Sequence, residues 1–120
     1  MGTHQIILAN EPRLLRGLLS CGLAKQPRLD VVDEVEQVDR LPAVVEREDA
    51  EWVVVSLWPD GEIPGFLVSL LQEHAPLSLL GIAGDGSEVR IVRSEFSEER
   101  LGDVSLADLV AVFRGEREQD

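Results

Sequence analysis

Short apolar runs alternate with amphipathic stretches along the chain up to residue 83. Residues 6–9, 52–57 and 77–83 are apolar at nearly every position, which is typical of strands buried on both faces of a parallel sheet. Residues 29–35 form a further run in which acids interrupt the valines, so we expect an edge strand protected by charge. The pattern therefore predicts four strands in this part of the chain.

Apolar residues at helical spacing separate these strands. Leu14, Leu18 and Leu19 contribute to an amphipathic pattern that predicts a helix over residues 11–25, beginning after Asn10. The remaining helices are expected after an Asp39 cap, over residues 66–74, and after a Ser105–Asp108 capping pair.

The alternation of strand and helix predicts a doubly wound α/β fold, a three-layer sandwich in which helices cover both faces of a sheet. The alternation stops where only residues 84–88 separate the fourth strand from an apolar run at residues 89–93. A parallel crossover needs a dozen or more residues, whereas a link this short containing Asp85-Gly86 suits a hairpin. We therefore expect strand five to be antiparallel and the helix between strands four and five to be missing. Residues 94–104 are expected to be irregular.

Composition narrows the class of protein. The 120 residues suit one domain, expected over residues 1–114 with a polar tail at 115–120. A formal charge of −12, from 23 acids and 11 bases, argues against binding nucleic acid or an anionic membrane. A lone cysteine, Cys21, rules out an internal disulfide, and its leucine neighbours predict a packed thiol. With no signal sequence or apolar span, a soluble cytoplasmic protein is expected.

The order of elements, together with Ile7-Leu8-Ala9-Asn10-Glu11-Pro12 leading into Leu14-Leu15-Arg16-Gly17-Leu18, resembles the receiver domain of two-component response regulators. The resemblance covers residues 5–83 and, less closely, 104–114. It implies the flavodoxin-like strand order 2-1-3-4-5. It also implies a phosphorylation site with an aspartate at the end of strand three and two Mg²⁺-binding acids after strand one. A Thr or Ser ends strand four in that family, and a Lys ends strand five.

The chain departs from this pattern at nearly every one of these positions. Asn10 and Glu11 occupy the positions of the acidic pair, and Ser56 occupies the position of the phosphoacceptor aspartate. Ala83 lies near the position of the Thr or Ser that ends strand four in that family. The only lysine, Lys25, lies in the first predicted helix. Arg90 and Arg93 could bring charge to strand five, but with a different donor geometry. An acyl phosphate forms only on a carboxylate, so the sequence resembles a pseudo-receiver that keeps the scaffold and lacks phosphotransfer.

No other chemistry stands out. Glu11 and Asp60 could offer two oxygen ligands to Mg²⁺, but their positions in a first helical turn and in a Pro-Asp-Gly turn are the better explanation. His4 and His74 have no partner at metal-ligand spacing, and Ser56 lacks the motif of a nucleophile elbow. We therefore expect no enzyme activity, metal or cofactor.

Three functions remain open. The leading one is a phosphorylation-independent signalling domain that binds protein partners, for which Trp58, Asp60, Ile82 and Ile91 are possible contact residues. Loss of the helix between strands four and five would expose an apolar patch on the sheet, and two copies could form a homodimer through that patch. That patch would comprise Leu77, Leu79, Ile82, Val89 and Ile91.

The second function is a small-ligand domain using the crevice between residues 9–11 and 56–58, at the carboxyl ends of strands one and three. The third is a switch phosphorylated on Ser56, resembling anti-sigma-factor antagonists.

Overall fold

A computed structural model of the protein describes residues 4–10, 13–57, 63, 65–74, 77–84, 87–93, 98–102 and 105–114. The strands are β1 (His4–Leu8), β2 (Leu29–Glu34), β3 (Trp52–Ser56), β4 (Ser78–Ile82), β5 (Val89–Arg93) and β6 (Glu98–Leu101). The helices are α1 (Arg13–Ala24), α2 (Leu41–Glu48), α3 (Gly65–Glu73) and α4 (Leu106–Arg114), and a 3₁₀ turn (Val38–Arg40) precedes α2.

One six-stranded sheet runs through the molecule in the order β2-β1-β3-β4-β5-β6. The pairs β1–β2, β1–β3 and β3–β4 are parallel, whereas β4–β5 is antiparallel and pairs Ile82 with Val89. The predicted order 2-1-3-4-5, the reversed fifth strand and the edge position of β2 are therefore confirmed. In the described part of the link between β4 and β5 the chain forms no helix.

Two local predictions are wrong. Residues 94–104 were expected to be irregular, but β6 pairs antiparallel with β5 along Val89–Val92. Its sequence, Glu98-Glu99-Arg100-Leu101, has no apolar run, so only the unpaired edge of β5 makes it a strand. Asp39 does not cap α2 because it lies within the 3₁₀ turn, and Arg40 occupies the N-cap without a side-chain hydrogen bond.

The last helix begins as the sequence predicts. The Ser105 backbone N–H donates to Asp108 Oδ2 at 2.9 Å, and the Asp108 N–H donates to Ser105 Oγ at 3.2 Å. This reciprocal pair satisfies two amide donors that the first turn of a helix leaves without partners.

Helix α1 presents a different face to the sheet from the one that its leucines suggest. Arg16, Leu19 and Leu23 are buried, whereas Leu14 and Leu18 are 75% and 62% exposed. Cys21 is also exposed, so the predicted packing of its thiol is wrong. Both sets repeat at helical spacing, and the pattern of apolar residues alone therefore could not decide which set faces inward.

The core has one layer on each side of the sheet. On the first side, α2 and α3 pack through Leu41, Val45 and Leu71 against strand residues that include Leu79. On the second side, α1 and α4 pack against the other face of the same strands. There Phe113 meets Trp52 edge to face, with ring centroids 5.2 Å apart and planes at 82°, so α4 is bound into the domain.

The apolar patch expected from the missing helix does not exist. All five of its residues are buried, with Ile82 at 2% and Ile91 at 0% exposure. Those two lie under α1 and α4. On the opposite side, a Cβ on Gly81 would come within 2.5 Å of Leu57 Cδ2 and 3.1 Å of Ile63 Cγ1. Chain that follows β3 therefore fills the space above β4.

Candidate functional site

The site implied by the family resemblance lies at the carboxyl edge of the parallel strands. Strand order reverses there between β1 and β3, and this reversal opens a crevice in doubly wound sheets. Asn10 follows β1, Ser56 ends β3, and Ala83 follows β4. Leu8 pairs with Val54 and Ser56 with Ile82, so this register brings the three strand ends to one edge.

Asn10 is the most unusual polar residue at this edge. It is 0% exposed, and neither its Oδ1 nor its Nδ2 has a hydrogen-bond partner among the described residues. Only its backbone carbonyl is engaged, by Arg16 Nη1 at 3.4 Å. An amide buried without partners costs about 1–3 kcal/mol. Such a group is more typical of a binding position than of a core.

Arg16 ties the beginning of α1 to the end of β2. Its side chain is 5% exposed, with Nε 3.4 Å from Glu34 Oε1 and Nη2 3.6 Å from Glu36 Oε2. The distance between Nε and Glu34 Oε1 is that of an ion pair, but the two atoms do not meet the geometry of a hydrogen bond. Both carboxylates reach solvent, so the guanidinium is neutralised without burying its partners. Sequence reasoning missed this residue, although it stands three and seven positions before Leu19 and Leu23.

The remaining strand ends offer little reactive chemistry. Ser56 is half-buried, and Ala83 packs partly against the core on the α2–α3 side. The Ala83 N–H donates to the Glu88 carbonyl at 3.0 Å, which closes the β4–β5 hairpin. A serine hydroxyl at the end of β3 cannot form the acyl phosphate of a receiver.

The two arginines of β5 occupy different places. Arg90 is 5% exposed and pairs across the sheet with Gly81. Because β5 runs antiparallel, its first residues lie toward the edge that holds Ser56 and Ala83. Arg93 lies at the other end, with its guanidinium carbon 5.6 Å from the centre of the Trp52 ring. Arg90 is thus the arginine nearer to the candidate site.

Three predicted residues, Glu11, Trp58 and Asp60, lie outside the described part of the chain. The place of Glu11 in the degenerate acidic pair and the contact roles of Trp58 and Asp60 therefore stay predictions. Within the described ranges, no group of three or more His, Cys, Asp or Glu side chains is arranged to hold a metal ion.

A charged groove of about 480 Å³ lies beside β2. Asp33, Glu34 and Glu36 line one side, and Arg40 and Arg47 of the α2 region line the other. Arg47 Nη2 lies 2.9 Å from Asp33 Oδ2, so part of this charge is already paired. An ion pair thus links the acidic end of β2 to α2.

The chain was compared with models of known protein families, with curated proteins and with solved structures, and none of the three comparisons gave a match. None of the helices in the described ranges has the length and apolar content needed to cross a bilayer.

Replacing Asn10 by leucine should stabilise the protein. Leucine has nearly the same shape and removes the two unpartnered polar atoms, so the free energy of unfolding should rise by about 1–3 kcal/mol. Urea unfolding followed by circular dichroism measures the change, with Arg16 left intact. A loss of stability in Asn10→Leu would show instead that the amide is hydrogen-bonded in the folded protein.

Proposed function

We propose that the protein is a receiver-like domain without phosphotransfer chemistry that acts by binding another protein. The exposure of Leu14 and Leu18 on α1 carries this proposal. Among the residues whose side chains the structure describes, they are the two large apolar side chains that are exposed, at 75% and 62%. They lie one helical turn apart, so they form a single contact surface rather than scattered positions.

The scaffold and the strand ends support the rest of the proposal. The strand order through β4 is that of a receiver, which agrees with the resemblance seen in the sequence. At the edge where a receiver transfers phosphate, the chain has the buried amide of Asn10 and the hydroxyl of Ser56. Neither can hold an acyl phosphate. A domain of this kind signals through contacts, whatever the phosphorylation state of the cell.

Phosphodonors should therefore leave the protein unchanged. Incubation with acetyl phosphate and Mg²⁺ should add no phosphoryl group to the intact mass, and beryllofluoride should not shift the amide spectrum. Ser56→Asp should stay inert as well, because an acid at β3 alone restores neither the second carboxylate nor the lysine. A stoichiometric adduct on any aspartate of the wild-type protein would overturn the proposal.

Asn10 favours a second function, the binding of a small polar ligand at the switch point. Its free carbonyl and amide could pair with a group that presents a donor and an acceptor side by side, such as an adenine edge or a carboxamide. Adenosine and nicotinamide are suitable probes, since a ligand that binds only the native state raises its melting temperature. A shift in the wild-type protein that Asn10→Leu abolishes would support this function. Equal shifts in both proteins, or none, would exclude it for these two probes.

A further inference from the structure

From the outer face of α1 we infer the kind of partner, an inference that rests on the proposed function. The face carries Leu14, Leu18 and Cys21, all exposed, which we term the α1 stripe. Arg16, Leu19 and Leu23 anchor the opposite face of the helix in the core. The helix is therefore held firmly while the stripe points outward. We propose that the α1 stripe docks an acidic amphipathic helix of another protein.

The spacing of the stripe favours a helical partner. Its members follow each other at four and three residues, and Lys25, four residues further on, continues the same line just beyond the helix. Alternation of four and three is the spacing of the seam along which two helices pack side by side. An extended strand has no corresponding repeat, because its side chains alternate every two residues.

The charge around the stripe selects an acidic partner. Residues 13–29 contain none of the 23 acids of the chain and, besides the buried Arg16, three of its 11 bases. Arg13 and Lys25, both exposed, stand at the two ends of the stripe. Acids elsewhere on the protein repel such a partner only weakly, since salt screens charges beyond about 8 Å at physiological ionic strength. Glu34 and Glu36, at and just beyond the end of β2, are already paired with Arg16.

A second copy of this chain fits the stripe poorly. In a two-fold contact between antiparallel α1 helices, Arg13 of each copy would face Lys25 of the other, so like charges would meet. The stripe instead suits a contact whose encounter rate is raised by opposite charge.

Peptides of matched shape and opposite charge test the inference. The probe is a labelled peptide of about 15 residues, near the length at which an isolated helix becomes stable. It carries leucines at four-and-three spacing flanked by glutamates, and its counterpart has lysines in their place. Fluorescence anisotropy in reducing buffer should show the glutamate peptide binding at least about tenfold more tightly, and added NaCl should weaken it.

Two variants assign the binding to the stripe. Leu14→Gln with Leu18→Gln should weaken binding of the glutamate peptide about tenfold or more, because both leucines lose the apolar surface that the complex buries. Glutamine matches leucine in helix propensity, so the fold should be kept, as a melting curve verifies. Arg13→Glu with Lys25→Glu should reverse the preference between peptides. Ala107→Gln, on the exposed face of α4, is the control. It should change neither the affinity for the glutamate peptide nor the preference between the two peptides.

Three results would overturn the inference. If both peptides bound equally through the leucines, the partner would not be selected for acidic charge, and the proposed function would still hold. Failure of both peptides to bind would remove the helical partner as well. Self-association in light scattering that the double leucine variant abolishes would make a second copy the occupant. Whether the protein acts through α1 at all is decided separately, by cross-linking in cells.

Discussion

Ile91→Asp is expected to leave the chain unfolded. Ile91 is 0% exposed, lies in β5 opposite Leu80, and packs under α1 and α4. The change forfeits about 1.5–3 kcal/mol of apolar burial and places a carboxylate in the core at a further cost of several kcal/mol. Because domains of this size are stable by only about 5–15 kcal/mol, the sum removes most or all of the stability. Far-UV circular dichroism and amide NMR dispersion report the loss.

Ile91→Val is the matched control and should cost only about 0.5–1.5 kcal/mol. The pair of variants also decides whether the face of β4 and β5 is core or interface. If the Ile91→Asp protein were well folded and only its oligomeric state had changed, Ile91 would belong to an interface. That result would contradict its burial in the core.

Phe113→Ala should destabilise the protein by about 3–5 kcal/mol, as expected when a fully buried aromatic ring is removed. Phe113 is 1% exposed and meets Trp52 at 5.2 Å, so its loss leaves a cavity between α4 and the middle of the sheet. Denaturant unfolding measures the change. The result bears on domain organisation, because it requires that the chain near residue 113 belongs to the same folding unit as β3.

Ala107→Gln serves again as the control, since an exposed substitution on α4 should stay within about 0.5 kcal/mol of the wild type. If Phe113→Ala unfolded at the same denaturant concentration as the wild type, α4 would not be part of the cooperative core. The domain would then end before residue 105.

Most of the sheet could be predicted from the sequence because its strands are unusually apolar. Runs such as Val53-Val54-Val55 need cover on both faces, and the short link before Val89 allows only a hairpin. Features set by tertiary contact could not be predicted. β6 becomes a strand only by pairing with β5, and the rotation of α1 depends on Arg16 meeting the acids at the end of β2.

The position of the candidate site could be predicted from the sequence, but the burial and hydrogen bonding of its side chains could not. The resemblance placed Asn10, Ser56 and Ala83 at strand ends, and the sheet register brings those ends to one edge. The burial of the Asn10 amide without a partner depends on how neighbouring chain closes over it, which spacing does not encode. The sequence could not tell which leucines of α1 are exposed, because both faces of the helix carry leucines at helical spacing.

Photo-cross-linking in cells tests the central claim most directly. A benzophenone amino acid replaces Leu18 in the full chain and, as the control, replaces Gln72 on the exposed face of α3. The account predicts an adduct with one other protein from position 18 and not from position 72. It also predicts the same yield in Ser56→Ala and wild-type backgrounds, because the contact needs no phosphorylation. No adduct from position 18, or one that depends on Ser56, would contradict the account.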